Sequence, residues 1–496
     1  MFIAMIVVFV LGYTAIALEH PLKIDKAASA LLIGVLTWVL YIFGVDQILP
    51  ENEGFWEFLH EQGFMAALTA SEYLVYIEHE GFLSIIRSSE LSEFFASNHL
   101  YAKVGLLSAY QDYVSHHELL HHLAEISEIL FFLLGAMTIV EMIDQNQGFK
   151  VITDKITTTN KVKLLWILSI LTFFMSAALD NLTTTIVMVA LLRKLIADQK
   201  TRWFYASMII LAANSGGAWS PIGDVTTIML WVKGQVTTIP IIVDVILPSL
   251  VTMIIPVVIL SFTLKGNVDR PEVRSGNEEF TTPALRIFML IFGVSSLLFV
   301  PVFKTFTHLP PYMGMLLGLG AMWAVTEIIH RDKIIGIKKR LTVSGVLGKV
   351  DVPTIFFFLG ILSAVAALQS AGHLTLMANW LDEVTNQNIY LIDLGIGLLS
   401  AIVDNVPLVA GAMGMYDIAE PGSVGQAAFY MQDGQFWQFL AYCAGTGGSI
   451  LIIGSAAGVA AMGMEKIDFI WYLKKISLLA LVGYLAGALT YYLMFS

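Results

Sequence analysis

Long apolar runs separated by short polar loops make up most of this chain. Ten runs have the length and composition of helices that cross the roughly 30 Å hydrocarbon core of a membrane. Together they predict an all-α polytopic membrane protein with about ten full spans. The runs lie near residues 2–18, 27–46, 125–146, 204–232, 238–262, 284–303, 310–330, 352–370, 436–464 and 476–495.

Two further apolar stretches, 162–192 and 380–415, are interrupted near the middle by related polar phrases. The first phrase reads Ser-Ala-Ala-Leu-Asp180-Asn, and the second, in the other half of the chain, reads Ser-Ala-Ile-Val-Asp404-Asn. An ionised aspartate in hydrocarbon costs several kcal/mol unless it meets a partner, water or an ion. The recurrence therefore predicts a duplicated transporter core with one polar tip in each half. The alternative for each aspartate is a helix N-cap beside a turn.

Loop charges orient these two stretches, because basic residues collect in cytoplasmic loops. Lysine and arginine flank the first stretch on both sides, whereas the second lies between Val350 and Glu465, where neither residue type occurs. Each stretch is therefore predicted to be a re-entrant hairpin, and the two enter from opposite faces. This pattern predicts two inverted repeats, 1–262 and 284–496, joined by a cytoplasmic linker at 263–283, with both termini outside.

Each half also carries a glycine pair in its next long run. One pair begins at Gly216 within 204–232, and the other begins at Gly447 within 436–464. Glycine pairs break membrane helices, which frees backbone carbonyls and exposes half-helix N-termini at ion-binding depth. The alternative is that small residues merely permit close helix packing. We predict one broken helix in each repeat.

The polar side chains of these segments predict a cation site. Three acids occur in phrases that contain no lysine or arginine, and amide and hydroxyl oxygens accompany them, which suits a small hard cation or protons. Competition between Na⁺ and H⁺ for a buried carboxylate would supply antiport. The predicted cation- and proton-binding residues are Asp180, Asn181, Asp224, Asp404, Asn405, Asn214, Ser176, Ser400, Thr226, Thr227, Ser449 and Thr446.

The predicted site is asymmetric, because the counterpart of Asp224 in the second repeat is Ser455. We therefore expect Asp180 and Asp224 to act as the coupling carboxylates and Asp404 to close the site. The residues predicted to hold Na⁺ itself are Asp180, Asn181, Asp224 and Asn405.

Composition agrees with a membrane protein. The 496 residues are 57% hydrophobic and 13% charged, against roughly 25% charged residues in soluble domains. The net charge of −12 comes largely from loops, and the single cysteine, Cys443, excludes an intramolecular disulfide. Phe2–Leu18 could be read as a signal peptide. It lacks a basic leading region, and the repeat requires it as a helix.

One acidic segment, 47–124, fits the repeat poorly and holds seven of the eleven histidines. We predict that it is an outward-facing insertion with amphipathic helices on the membrane surface. Four of its histidines have spacings that could bind a metal or sense pH, although exposed histidines on a polar helix are commoner: His116, His117, His121 and His122. Glu141 is predicted either to lie on a proton path or to be an interfacial carboxylate.

The Asp-Asn phrases, with Asn-Ser-Gly-Gly-Ala-Trp-Ser-Pro-Ile-Gly-Asp-Val-Thr-Thr and Gly-Thr-Gly-Gly-Ser, resemble those of the NhaD-type sodium/proton antiporters of the ion transporter superfamily. The resemblance implies a transport domain moving by an elevator mechanism beside a scaffold domain that forms a homodimer. It implies exchange of cytoplasmic Na⁺ or Li⁺ for external H⁺ across the bacterial inner membrane. This exchange would serve pH homeostasis and salt tolerance. The resemblance implies neither a cofactor nor enzymatic activity. The matching positions are Ser176, Asp180, Asn181, Asn214, Asp224, Thr226, Thr227, Ser400, Asp404, Asn405 and Ser449.

Two other functions compete with antiport. An anion or oxyanion carrier could use the same scaffold, but the dicarboxylate relatives carry Ser-Asn-Thr at the hairpin tips where this chain has Asp-Asn-Leu and Asp-Asn-Val. An intramembrane aspartyl protease would pair a Tyr-Asp phrase with a later Gly-x-Gly-Asp. Here Tyr416-Asp417 follows Gly223-Asp224 and the first glycine is absent, so we reject the protease.

Overall fold

The computed structural model describes residues 1–17, 22–44, 111–271, 281–331, 341–402 and 404–495. Within these ranges the chain is helical, and β-pairing is confined to two isolated bridges. The all-α class is therefore confirmed. Most of the predicted insertion at 47–124 lies outside the described residues.

The helices follow the apolar runs closely. Those of the first half are α1 (Phe2–Ala17), α2 (Lys26–Phe43), α3 (Leu119–Gln145), α4 (Lys161–Leu179), α5 (Asn181–Leu195), α6 (Gln199–Ala218), α7 (Val225–Val232) and α8 (Thr238–Thr263). Those of the second half are α9 (Pro283–Thr307), α10 (Pro311–Ile329), α11 (Val352–Ser370), α12 (His373–Thr385), α13 (Ile389–Leu399), α14 (Asn405–Met415), α15 (Gln435–Gly447), α16 (Ala456–Glu465), α17 (Phe469–Lys475) and α18 (Ser477–Phe495).

Eight helical segments of the described chain are long and apolar enough to cross a membrane, so the protein is a polytopic membrane protein. They are α2, Gln111–Gln145 (which contains α3), α4, α8, α9, α10, α11 and α18. The sequence predicted about ten. Seven of the ten predicted runs are among the eight. Of the other three, 204–232 and 436–464 are each divided into two shorter helices, as their glycine pairs predicted, and α1 is a shorter apolar helix. The eighth segment, α4, comes from the first interrupted stretch.

The chain reverses direction between α4 and α5. The Lys161 backbone N–H donates to the carbonyl of Gly266 (3.1 Å), and the Ala197 N–H donates to that of Asp269 (2.8 Å). Both ends of the 161–195 segment thus meet one short stretch of chain, whereas a continuous helix would hold them about 50 Å apart. The two helices form a hairpin.

A second reversal joins α13 to α14. The Tyr390 hydroxyl donates to Gln435 Oε1 (2.9 Å) at one end, and the Tyr416 ring packs on Phe436 at the other (centroids 4.9 Å apart). The predicted hairpin began at residue 380, which lies inside α12. The hairpin itself starts at Ile389, where the Asn388 side chain caps α13. That the hairpins enter from opposite membrane faces stays a prediction.

The chain divides into two compact units. The first comprises Met1–Ser127 and Pro353–Trp380. Within it α2 and α11 cross so closely that a Cβ added to Gly34 would lie 2.6 Å from the Gly360 carbonyl oxygen, and small residues of this kind let membrane helices approach. The Trp38 indole donates to the Ser363 carbonyl across the same crossing (3.0 Å).

The second unit comprises Glu128–Val352 and Leu381–Ser496. It contains both hairpins and both broken helices, so the predicted site falls within one unit. In it α8 packs along α18, and α4 packs along α6. The assignment of a scaffold and a transport domain stays a prediction.

Candidate functional site

Four short helices of the second unit begin with a polar cap. Asp180 Oδ1 accepts from the Thr183 N–H at the start of α5 (2.8 Å), and Asp404 Oδ1 accepts from the Val406 N–H at the start of α14 (3.2 Å). Asp224 caps α7 in the same way, and Ser455 caps α16. Asp180 and Asp404 are therefore both helix N-caps, as the alternative interpretation predicted. Capping leaves further carboxylate lone pairs for other partners.

One buried hydrogen-bond network joins three of the predicted segments. Asn181, at the first hairpin tip, donates from Nδ2 to Asp224 Oδ2 (2.8 Å) and to Asn214 Oδ1 (3.1 Å). Asn214 then donates from Nδ2 to the hydroxyl oxygens of Ser449 and Ser455, both at 2.9 Å. All five side chains are at most 5% exposed. The network thus links the first hairpin and both broken helices through amide and hydroxyl groups.

The other two predicted aspartates lie near Asp224, which belongs to this network. Asp180 and Asp404 both lie within electrostatic range of Asp224. Asp224 is 1% exposed, whereas Asp180 and Asp404 are half-buried. Three carboxylates at neighbouring half-helix N-termini form a negatively charged centre that favours a cation. The positive ends of the helix dipoles partly offset that charge.

The backbone at Asp180 is strained. Its φ of 83° and ψ of 158° place it in a region that only glycine adopts readily. Strain of this kind costs on the order of 1–3 kcal/mol and concentrates at functional sites. Asp404, the matching residue of the second hairpin, has an ordinary φ of −50°. The two hairpin tips are therefore built differently.

The serines of the two phrases hold each hairpin to its broken helix. Ser176 Oγ donates to the Ala213 carbonyl (2.6 Å), and Ser400 Oγ donates to the Ala444 carbonyl (2.9 Å). The two serines are as far apart in sequence as the two Asp-Asn phrases, and the two alanines are as far apart as the two glycine pairs. The same contact therefore recurs at matching positions in both halves, which supports the predicted repeat.

The predicted threonine ligands differ in their partners. The Thr226 hydroxyl donates to Asp224 Oδ1 (3.0 Å) and so belongs to the central network. The Thr446 hydroxyl instead donates to the carbonyl of Tyr442 in its own helix (2.6 Å), and Thr227 donates to the Ala218 carbonyl (3.3 Å). Asn405 is buried in the first turn of α14.

Polar contacts at each end of the broken helices join the two halves, and each set of contacts is called a clasp here. Arg193 and Arg202 donate from Nε to the two carboxylate oxygens of Glu465 (2.7 Å each), which is 1% exposed. At the other clasp, Asp433 Oδ2 accepts from the Thr237 hydroxyl (2.7 Å). Arg202 and Asp433 occupy corresponding positions in the two halves, because they are as far apart in sequence as the two glycine pairs. In each half, a residue at the start of the broken helix therefore binds the segment that follows the broken helix of the other half.

Sequence reasoning missed Asp393, on the first arm of the second hairpin. Its side chain is fully buried, and neither carboxylate oxygen has a hydrogen-bond partner among the described residues. The signal was present, because Asp393 lies between Ile392 and Leu394 in a predicted hairpin. The same criterion had identified Asp180. Ser455 was recognised only as the counterpart of Asp224, yet it is part of the network.

Glu141 and the histidine set lie in other surroundings. Glu141 accepts from Gln145 Nε2 (2.7 Å), and Asp144 and Lys349 are its charged neighbours. This supports the interfacial alternative.

Three of the four histidines lie near an acidic side chain of their own helical segment. His116 pairs with Asp112 (3.0 Å), and both His121 and His122 approach Glu125 (3.5 and 3.6 Å). In the described part of the chain no group of three or more His, Cys, Asp or Glu residues could hold a metal ion. The metal-binding alternative for this set therefore has no structural support.

The chain is similar in sequence to one described transporter family and to several sodium/proton antiporters. A family profile described as "Citrate transporter" (CitMHS) matches residues 1–432. The chain is 49% identical over 376 residues to "Sodium/proton antiporter 1" of Arabidopsis thaliana, covering 75% of this chain and 63% of the relative, which is less than two thirds of its length. It is 46% identical to "Sodium/proton antiporter 2" of the same plant, covering 75% and 87%. It is 31% identical to "Na(+)/H(+) antiporter NhaD" of Alkalimonas amylolytica, covering 74% and 77%.

Proposed function

Because the chain belongs to the family of the NhaD-type sodium/proton antiporters, as its motifs predicted, we propose that it exchanges Na⁺ for H⁺ across a membrane. The observation that carries the proposal is the buried network around Asp224, which joins Asn181 and Asn214 to serines of the other half. Oxygen ligands of this kind suit a small hard cation. Li⁺ is a second expected substrate, because it shares the same charge and preference for oxygen.

Coupling follows from competition at the carboxylates. An ionised Asp224 attracts Na⁺, and a protonated Asp224 does not, so each carboxylate carries either the cation or the proton. We assign Na⁺ to Asp180, Asn181, Asp224 and Asn405, with Asp404 closing the site. The negative charge gathered at the hairpin tips and the uncharged amides beside it support this assignment.

Transport then requires the site to open to one side at a time. In our proposal each hairpin opens one access route, and the elements carrying the aspartates move against a dimeric scaffold. External H⁺ enters and cytoplasmic Na⁺ leaves. The bacterial inner membrane, with both termini outside, is the predicted location. Sodium extrusion there would serve pH homeostasis and salt tolerance.

Proton flux in sealed proteoliposomes tests the proposal. We expect imposed Na⁺ or Li⁺ gradients to drive proton movement in the opposite direction, reported by an internal pH dye. K⁺ is the matched control cation, and protein-free liposomes control for leak. Flux driven by citrate or succinate gradients but not by Na⁺ would favour the alternative, an anion carrier on the same scaffold, and would overturn the antiporter.

A further inference from the structure

Asp393 is a second buried acid outside the network around Asp224. It is 0% exposed, and within the described residues neither of its oxygens receives a hydrogen bond. It lies on α13 about two turns before Ser400, which is about 10 Å along the helix. The acid therefore lies between the hairpin tip and the end where Tyr390 meets Gln435.

The groups around Asp393 are aromatic hydroxyls and one thiol. Those within electrostatic range are Tyr390, Tyr416, Tyr430, Tyr484, Tyr491 and Cys443, which come from α13, the end of α14, the following loop, α15 and α18. None of them carries a positive charge, so they offer an ionised Asp393 no ion pair.

Four of the five tyrosine hydroxyls donate to other groups, that of Tyr390 to Gln435 as described above. The Tyr416 hydroxyl donates to Asp382 Oδ1 (3.0 Å), and the Tyr484 hydroxyl donates to the carbonyl of Leu394 (3.2 Å). Tyr491 donates to Gln438 Oε1 (3.0 Å). A carboxylate left ionised in such a place would pay a desolvation cost with no hydrogen bond to offset it. The neutral acid is therefore the form that this conformation accommodates.

The first repeat shows that the fold does not need an acid here. When the two Asp-Asn phrases are aligned, Asp393 of the second repeat is matched by Ser169 of the first. Ser169 is 1% exposed, and its hydroxyl likewise has no hydrogen-bond partner in the described chain. The position is buried in both repeats, and only the second repeat places a titratable group there. That difference indicates a function that the first repeat does not share.

We propose that Asp393 is a proton-binding site of the exchange cycle, distinct from the aspartates that hold Na⁺. It holds a proton as the neutral acid in this conformation. When the first hairpin opens towards the cytoplasm, the acid releases that proton and becomes a carboxylate. When the second hairpin opens, it takes up another from the external side, where Tyr416 meets the half-buried Asp382. The inference rests on the proposed antiport. It predicts that more protons are exchanged per Na⁺ than the Na⁺-binding aspartates alone would carry.

Transport energetics and infrared spectra of Asp393→Asn and Asp393→Ser test the proposal, with Ser169→Ala as the matched control. In proteoliposomes we expect both Asp393 variants to move fewer protons per Na⁺ than the wild type. The Na⁺ gradient at which net proton flux stops, for a fixed pH difference, should then shift in both and stay unchanged in Ser169→Ala. In infrared difference spectra taken with and without Na⁺, the wild type and Ser169→Ala should show one protonated-carboxyl band more than Asp393→Asn, which keeps only the bands of the Na⁺-binding aspartates.

Three results would overturn the assignment. An unchanged balance point in both Asp393 variants would remove the residue from coupling. Identical carboxyl bands in the wild type and Asp393→Asn would show that Asp393 does not hold the proton. Loss of monodisperse protein in both variants would make Asp393 a structural residue. Absence of Na⁺-driven flux in the wild type would instead refute antiport, and the infrared band would still report on Asp393.

Discussion

Asn181 donates from Nδ2 to Asp224 Oδ2 at 2.8 Å, which joins the tip of the first hairpin to the break in the following helix. Both side chains are at most 5% exposed. A hydrogen bond to a buried carboxylate contributes about 1.5–3 kcal/mol. Movement of the hairpin tip away from α7 must therefore break or replace this bond, and a cation or a proton arriving at Asp224 changes its strength. The contact couples occupancy of the site to the position of the hairpin.

Replacing Asp224 tests that coupling. Asp224→Asn removes the negative charge and sets an amide against the donor of Asn181. We expect the apparent Na⁺ affinity to fall at least about tenfold, about 1.4 kcal/mol, because the cation loses a charged ligand. The concentration dependence of Na⁺-driven proton flux in proteoliposomes measures the change.

Asp198→Asn is the matched control. Asp198 is also an N-cap, accepting from the Thr201 N–H (2.7 Å) at the start of α6, but it is exposed and outside the network. Its substitution should leave the Na⁺ dependence unchanged. Wild-type affinity in Asp224→Asn would show that the cation binds elsewhere.

The strained backbone of Asp180 leads to a second prediction. Glycine tolerates a φ of 83° and is nearly as good an N-cap, within a few tenths of a kcal/mol. Asp180→Gly should relieve strain on the order of 1–3 kcal/mol while removing a carboxylate from the site. We expect a melting temperature in detergent equal to or above that of the wild type, with exchange lost.

Asp404→Gly separates strain from capping, because Asp404 caps α14 with an ordinary φ of −50°. It should lose exchange without gaining stability. A melting temperature lower in Asp180→Gly than in Asp404→Gly would refute stored strain at Asp180. Full exchange by Asp180→Gly would remove that carboxylate from the mechanism.

The sequence predicted the helix breaks but not all of the contacts made at them. An Asp-Asn or Gly-Gly phrase interrupts an apolar pattern locally, so its position can be read from the chain. Whether a hydroxyl faces a site depends on helix geometry, and Thr446, predicted as a ligand, instead donates to the carbonyl four residues earlier, as threonines in helices commonly do. Asp393 was missed although it interrupts an apolar stretch of the sequence, and the lack of hydrogen-bond donors around it, a property of tertiary packing, cannot be read from the chain.

The clasp at Glu465 gives a third prediction. Glu465→Gln leaves Arg202, 16% exposed, without its buried charge partner. Removing one partner of a fully buried pair costs roughly 3–5 kcal/mol. Because Arg193 is 52% exposed and can be hydrated, we expect about 2 kcal/mol here. Thermal unfolding of the purified protein should show the loss.

Two further variants define the origin of that loss. Lys466→Gln changes the exposed neighbour of Glu465 and should leave the melting temperature unchanged. The double variant Arg202→Gln/Glu465→Gln should be less destabilised than the sum of the single variants, because the partners interact directly. Additive losses would mean that the ion pair contributes nothing to stability.

Two glycines set how closely each hairpin approaches its broken helix. A Cβ on Gly216 would overlap the carbonyl oxygen of Phe173, and a Cβ on Gly447 would overlap that of Gly397. Backbone atoms cannot move aside as a side-chain end can, so Gly216→Ala and Gly447→Ala should each separate the two elements. We expect both variants to lose monodisperse protein on size exclusion, or to lose Na⁺-driven flux where they fold. Gly463→Ala, in α16 where an added Cβ would meet no neighbouring atom within 4 Å, should fold and transport normally. Normal exchange by Gly216→Ala would show that the hairpin does not need this close contact.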